Sequence, residues 1–195
     1  MRYAEISRKT NETDIKLTLE LDGKGIHDIK TGCGFLDHML ELFTSHGRFN
    51  IKLSCKGDTH VDFHHTVEDV GISLGQAFKN ALGNKKGIAR YGSFILPMDE
   101  TLILSAIDFS GRVFLNYDVE IFTPKVGDFD TELSKEFWLG FARESFSTMH
   151  IKKLSGENSH HIIEAIFKST ARAIRQAVKF DPDYENEIPS TKGII

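Results

Sequence analysis

The sequence HHTVE at residues 64–68 recurs 96 residues later as HHIIE at residues 160–164. Both copies are followed by a run that carries the 3.6-residue hydrophobic period of an amphipathic helix. Each motif is therefore expected to open a helix. Two such motifs, each at the start of its own helix, indicate an internal duplication of the chain.

The two histidines and the glutamate of each motif share one side of the first helical turn. At about 100° per residue, Glu68 falls between His64 and His65 around the helix axis. Two imidazoles and one carboxylate presented together form a ligand set for metals such as zinc, manganese, iron or nickel. The motifs therefore predict metal binding and leave the identity of the metal open.

The order of elements around the two motifs is the same. In the first half, alternating apolar residues predict strands over 15–21 and 49–55, and a helical stripe predicts a helix over 35–46. The second half repeats this order, and a helix is expected over 132–148. This helix would end near His150, just as the predicted helix 35–46 ends at His46. We predict an α+β fold, an internal duplication of two βββαβα half-domains with mixed sheets backed by helices. The expected parts are half-domains 1–86 and 87–180 and a C-terminal tail, 181–195, that contributes to the site.

Composition excludes several classes of protein. The chain has 195 residues, 24 basic and 28 acidic, for a net charge of −4, which disfavours a nucleic-acid or membrane-surface partner. It has only two cysteines, Cys33 and Cys55, which form no CxxC pair. A thiolate zinc site and a disulfide framework are therefore excluded, and we expect a reducing, cytoplasmic compartment.

The chain resembles the imidazoleglycerol-phosphate dehydratase family of histidine biosynthesis over nearly its whole length. The matching motifs are RKTNET at 8–13, GFLDHML at 34–40, HHTVED at 64–69, GIARYG at 87–92, PMDE at 97–100, SGR at 110–112, GENSHHIIEA at 156–165 and PSTKG at 189–193. So many motifs in one order make the resemblance specific.

The resemblance implies a site and an assembly. It implies two Mn²⁺ ions per active site, although other divalent metals suit the same ligands, and it implies that Glu12 is an acid/base residue. The implied metal ligands are His38, His46, His64, His65, Glu68, His150, His160, His161 and Glu164. The implied phosphate-binding residues are Arg90, Arg112, Lys168, Ser190 and Lys192. The family's assembly implies a homo-oligomer of 24 subunits with sites completed between subunits, and its substrate implies a small phosphorylated imidazole.

The implied reaction explains why a metal is needed. Imidazoleglycerol phosphate loses water to give imidazole acetol phosphate, and the departing hydrogen lies on a carbon with no adjacent carbonyl. An imidazole bound to a divalent cation can become imidazolate, so that its ring acts as the electron sink. Glu12 can accept the carbon-bound proton, and basic residues can orient the phosphate.

Two other functions remain open at this point. The same histidines can activate water in a di-metal phosphoester hydrolase, which would release inorganic phosphate. A non-catalytic shell protein assembled by metal would need the histidines but not Glu12.

Overall fold

Ile15, Leu17 and Leu19 alternate with polar residues along one strand and are almost completely buried. In the computed structural model, which describes residues 2–185 and 187–193, this strand belongs to a four-stranded mixed sheet. The sheet has the order β1 (Tyr3–Lys9), β2 (Thr13–Glu20), β4 (Asn50–Gly57) and β3 (His27–Lys30). The β3–β4 pair is parallel and the other two pairs are antiparallel.

A second sheet repeats this arrangement. Its order is β5 (Tyr91–Met98), β6 (Thr101–Asp108), β10 (Thr148–Ser155) and β7 (Phe114–Asp118). The β7–β10 pair is parallel and the other two are antiparallel, as in the first sheet. A short hairpin of β8 (Lys125–Val126) and β9 (Phe129–Asp130) stands apart from both sheets.

The part of the chain that the structure describes contains four α-helices: α1 (Gly34–Gly47), α2 (His64–Leu82), α3 (Leu133–Ser145) and α4 (Ser159–Ala177). A 3₁₀ turn, Pro182–Tyr184, lies near the start of the tail. The predicted α+β class, with mixed sheets backed by helices, is confirmed. Residues 186, 194 and 195 of the predicted tail lie outside the described residues, and the division at residues 86 and 87 stays a prediction. No described helix is long and apolar enough to cross a membrane.

The helices pair across the two halves of the protein: α1 packs on α4, and α2 packs on α3. The α2–α3 contact is close, because a Cβ at Gly71 would lie 2.4 Å from the carbonyl oxygen of Phe137. Trp138 of α3 is fully buried and packs against Phe43 of α1 and Phe167 of α4, with ring centroids 6.0 and 4.9 Å away. Both halves therefore share one apolar core, and this sharing brings histidines of one half beside helices of the other.

The prediction that the second-half helix continues to residue 148 is wrong. Helix α3 ends at Ser145, and Phe146 takes the left-handed conformation (φ 53°) with its N–H bonded to the carbonyl of Ala142. Beyond it the hydrophobic period changes to two, so Met149 and Ile151 are buried and His150 lies exposed on β10. His46, in the last turn of α1, and His150 are therefore not counterparts in the duplication.

Candidate metal centre and active site

The second HHxxE motif occupies the first turn of α4, where the N-cap holds its backbone. The Asn158 Oδ1 atom accepts hydrogen bonds from the N–H groups of His160 and His161, at 3.0 and 3.2 Å. Because His160 and Glu164 are four residues apart, they meet on one face of the helix. The Nε2 atom of His160 lies 3.1 Å from Oε2 of Glu164. This part of the motif has the shared face predicted from the sequence.

A third potential metal ligand reaches this pair from α1. His38 Nε2 lies 3.8 Å from Glu164 Oε2, and the rings of His38 and His160 have centroids 6.2 Å apart. One ligand atom from each of His38, His160 and Glu164 lies within 4.8 Å of the other two. Within the described residues, this is the single cluster of histidine, cysteine or acidic ligands found at such a spacing. Packing of α1 on α4 creates it.

The Glu164 carboxylate of this cluster is buried and kept ionised. Burial alone would raise its pKa, but the hydrogen bond and charge of Lys168, helped by His160, hold the pKa of Glu164 below its ordinary value. Lys168 pairs with the Oε1 atom, so Oε2 faces the two histidines. Two imidazole nitrogens and one carboxylate oxygen suit a first-row divalent cation.

The neighbouring histidine of the motif, His161, faces a different carboxylate. Its Nδ1 lies 2.9 Å from Oε2 of Glu100, and its Nε2 lies 4.0 Å from Oδ2 of Asp99. The hydrogen bond to Glu100 raises the pKa of His161. The same bond, with a backbone N–H from Asn158, lowers the pKa of the Glu100 carboxyl.

The first HHxxE motif, at the start of α2, has similar neighbours. The Nδ1 atom of His65 lies 2.9 Å from Oδ2 of Asp58, and its Nε2 lies 3.6 Å from Oε1 of Glu12. The hydrogen bond to Asp58 raises the pKa of His65. His64 lies beside it, with ring centroids 6.0 Å apart. Glu68 lies 3.6 Å from Arg143 of α3.

The two remaining candidate ligands, His46 and His150, differ in their surroundings. Burial, reinforced by the charges of Lys168 and Arg172, lowers the pKa of His46. His46 therefore shares surroundings with the first cluster, close enough for Lys168 to influence it. His150 contacts Asn116 at 3.4 Å and Phe114 on the open face of the second sheet. The structure does not bring His150 to the His38 cluster.

Two of the five candidate phosphate-binding residues, Arg90 and Arg112, share the carboxylate of Asp108. Arg90 donates to Asp108 from Nε and Nη2, at 2.7 and 3.2 Å, and from Nη1 to the carbonyl of Pro189 at 2.8 Å. Arg112 lies 3.7 Å from the same carboxylate. The tail is thereby held beside Arg90, and there the N–H of Lys192 bonds to Oγ of Ser190. The fifth candidate, Lys168, instead lies at the metal cluster.

Sequence reasoning missed two carboxylates, Asp58 and Glu100, each of which bonds the second histidine of a motif. Both occupy loops, so no hydrophobic period marks them. Glu100 does stand in the PMDE motif at 97–100, and Asp58 precedes the first motif by six residues. An acidic residue near a histidine pair is the signal that points to such partners.

The α+β fold joins two histidines and a buried glutamate from different halves, which defines the class of proteins with a candidate metal site of nitrogen and oxygen ligands. Comparisons identify the family within that class. A family model described as imidazoleglycerol-phosphate dehydratase matches residues 31–174. Imidazoleglycerol-phosphate dehydratases of Cereibacter sphaeroides (strain ATCC 17029 / ATH 2.4.9) and Prochlorococcus marinus (strain AS9601) are 54% and 51% identical over 195 residues. The alignments span the full length of this protein and 100% and 97% of those relatives.

Solved structures agree with this similarity. The crystal structure of imidazoleglycerol-phosphate dehydratase from Staphylococcus aureus has a TM-score of 0.83 at 38% identity, covering 91% of this protein and 99% of that one. The Pyrococcus furiosus enzyme in complex with (S)-C348 has a TM-score of 0.85 at 38% identity, covering 97% and 100%. The chain belongs to the imidazoleglycerol-phosphate dehydratase family and is a hydro-lyase of histidine biosynthesis.

Proposed function

We propose that this protein converts imidazoleglycerol phosphate into imidazole acetol phosphate and water at a site containing two Mn²⁺ ions. The observation that carries the proposal is the meeting of His38, His160 and Glu164 from two halves of the molecule, within 4.8 Å. The matching relatives, by name, dehydrate the same substrate. The two repeats make two metals more natural than one, because each brings its own histidine pair and glutamate.

The residues proposed to hold the metals are the histidines and glutamates of both motifs with their neighbours. They are His38, His46, His64, His65, Glu68, His150, His160, His161 and Glu164. A divalent cation bound by these residues would withdraw electron density from the substrate's imidazole, which makes the reacting C–H bond of the substrate easier to break. The buried, ionised Glu164 supplies negative charge that a cation needs in place of water.

Glu12 is the proposed proton acceptor. Its side chain is half exposed (50%), and one carboxylate oxygen lies 3.6 Å from Nε2 of His65. It is therefore close to a proposed metal ligand yet free of any stronger partner among the described residues. Glu12 takes the carbon-bound proton as a base and returns it as an acid to the departing hydroxyl group, which leaves as water, and the resulting enol rearranges to the ketone.

The proposed phosphate site consists of Arg90, Arg112, Lys168, Ser190 and Lys192. Arg90 is buried and fixed by Asp108, so its remaining Nη1 donor points to the tail at Pro189. A guanidinium fixed in this way can bind a phosphate oxygen with little loss of side-chain entropy. The tail would supply the Ser190 hydroxyl and the Lys192 ammonium to the same anion.

The separation of the ligands supports a homo-oligomer, which we propose to be a 24-subunit shell with sites completed between subunits. Among the described residues, only three of the nine proposed ligands form a cluster in one subunit, and His150 lies apart on an exposed strand face. A second subunit can bring the remaining ligands to it. Both cysteines are free and buried, which supports a proposed cytoplasmic location.

The product decides between a dehydratase and the di-metal hydrolase. Incubation of the manganese-loaded protein with imidazoleglycerol phosphate is expected to give the ketone in amounts equal to the substrate consumed, with no inorganic phosphate. Release of inorganic phosphate without ketone would overturn the proposed function. A metal-assembled shell without activity would give neither product, which would overturn it as well.

A further inference from the structure

Glu100 is the counterpart of Glu12 in the duplicated fold. Glu12 immediately precedes β2, whose first residue is Thr13, and Glu100 immediately precedes β6, whose first residue is Thr101. Both threonines are buried. Glu12 lies beside His65, and Glu100 lies beside His161, the second histidine of the matching motif. The duplication thus placed one glutamate next to each motif.

The two glutamates have different surroundings. Glu12 approaches its histidine no closer than 3.6 Å. In Glu100, Oε1 accepts from the N–H of Asn158 at 3.0 Å and from the hydroxyl of Thr101 at 2.9 Å. Its other oxygen, Oε2, accepts from Nδ1 of His161 at 2.9 Å. Glu100 is therefore fixed in one orientation, which suits a group that holds another residue in place.

Asp58 and its counterpart in the second repeat, Glu157, also differ in whether they bond the histidine of their motif. In the first repeat, Gly57 of β4 pairs with Thr13 of β2. In the second repeat, a register shift between Lys153 and Ser155 of β10 brings Gly156 against Thr101, so Gly156 is the equivalent of Gly57. The residue after each glycine is Asp58 in the first repeat and Glu157 in the second. Asp58 bonds Nδ1 of its histidine, whereas Glu157 is exposed and its side chain forms no ion pair within the described residues. In the second repeat, Glu100 supplies the carboxylate that Asp58 supplies in the first.

We propose that Glu100 is a positioning residue that fixes the tautomer of His161 for metal binding, an inference that rests on the proposed metal-binding role of His161. An ionised carboxylate can only accept, so in the neutral ring of His161 the proton lies on Nδ1 and Nε2 keeps its lone pair. A metal-ligating histidine is commonly held by a carboxylate on its other nitrogen. The two repeats have thus divided the work: Glu12 stays free for proton transfer, and Glu100 orients a ligand.

The substitution Glu100→Gln tests this directly. The N–H of Asn158 and the hydroxyl of Thr101 both donate to Oε1, so the amide oxygen must stay at that position. The amide NH₂ then faces Nδ1 of His161, so Nδ1 must accept a hydrogen bond. The ring proton therefore moves to Nε2, the nitrogen proposed to bind the metal. Glu157→Gln is the matched control, because it removes the same charge from the adjoining loop without touching His161.

Two quantities are measured, starting from metal-free protein at pH 8: the tautomer of His161 and the affinity for Mn²⁺. At this pH, protons compete little with the metal for the histidine nitrogens. Nitrogen-15 NMR of His161 should show the Nδ1–H form in the wild type and in Glu157→Gln, and the Nε2–H form in Glu100→Gln. The affinity for Mn²⁺ should fall about 10- to 100-fold in Glu100→Gln and change less than twofold in the control. A purely structural role would lower stability without moving the tautomer.

The proposal is overturned if His161 keeps the Nδ1–H form in Glu100→Gln or if its Mn²⁺ affinity stays within twofold of the wild type. If Glu100→Gln does not fold, Glu100→Asp replaces it. The shorter side chain of aspartate cannot bond both the N–H of Asn158 and the ring of His161. The affinity for Mn²⁺ should therefore again fall at least tenfold, and an unchanged affinity would overturn the proposal. The failure of the proposed function is separate, since it appears as an absence of ketone from the wild-type protein.

Discussion

Replacement of Glu12 by glutamine should remove most of the turnover and leave the fold and the metals in place. The side chain is half exposed, and its nearest charged partner is His65 at 3.6 Å. Its own backbone N–H bonds to Thr10 Oγ1 and is not altered by the change. We therefore expect the free energy of unfolding to change by less than about 0.5 kcal/mol.

The loss in rate follows from the proposed proton transfer. The amide keeps the size of the carboxylate but cannot accept the carbon-bound proton, and loss of a general base typically costs about 10²–10⁴-fold. This corresponds to about 2.7–5.5 kcal/mol in the barrier. The substrate should still bind through its imidazole and its phosphate, so KM should stay within about threefold while kcat falls.

The assay is ketone formation at varied substrate concentration, with bound metal measured on the same samples. Asp14→Asn is the matched control, because Asp14 lies on β2, two residues after Glu12. Among the described residues, its side chain forms an ion pair only with Lys9, at 3.9 Å. A kcat for Glu12→Gln within threefold of the wild type would refute the assignment. A loss of bound metal would instead place Glu12 in the ligand set.

Three further outcomes are expected. Hydrogen bonds to Asp58 and Glu100 raise the pKa of His65 and of His161 above the ordinary 6.5, so protons compete with metal up to a higher pH. The affinity for Mn²⁺ should therefore fall on acidification with a midpoint above pH 6.5, and a midpoint below that value would contradict histidine ligation. Gly71→Ala places a Cβ 2.4 Å from a carbonyl oxygen of α3 and should cost about 1–3 kcal/mol in denaturant unfolding. Gly34→Ala, whose added Cβ meets nothing within 4 Å, should stay within about 1 kcal/mol, and equal losses would show that the close α2–α3 contact is unimportant. Deletion of residues 189–195 should raise KM at least tenfold with unchanged metal content, and a wild-type KM would remove the tail from the phosphate site.

The central strand β2 and the two helices that follow the HHxxE motifs were predictable because each has a clear hydrophobic period. Ile15, Leu17 and Leu19 mark a strand, and the two HHxxE motifs mark the starts of α2 and α4. The end of α3 was not predictable, since it depends on Phe146 taking a left-handed conformation that no spacing announces. The helical hydrophobic period alone predicts that α3 continues to residue 148, which is instead the first residue of β10.

The site was predictable only where its residues are neighbours in sequence. His160 and Glu164 are four apart on one helix, so their contact follows from helical geometry. Their contact with His38 depends on α1 packing against α4, and the contact of His161 with Glu100 depends on the loop before β6. Such long-range contacts are decided by packing and strand register, which a single sequence does not reveal.

Titration of the metal-free protein with Mn²⁺, with ketone formation followed at each step, tests most directly the claim that the paired motifs build a metal-dependent dehydratase. We expect no ketone without metal, a rise in rate in proportion to bound Mn²⁺, and saturation at two ions per subunit. Full activity in protein stripped of metal would contradict the metal dependence, and saturation at one ion per subunit would contradict the contribution of both motifs.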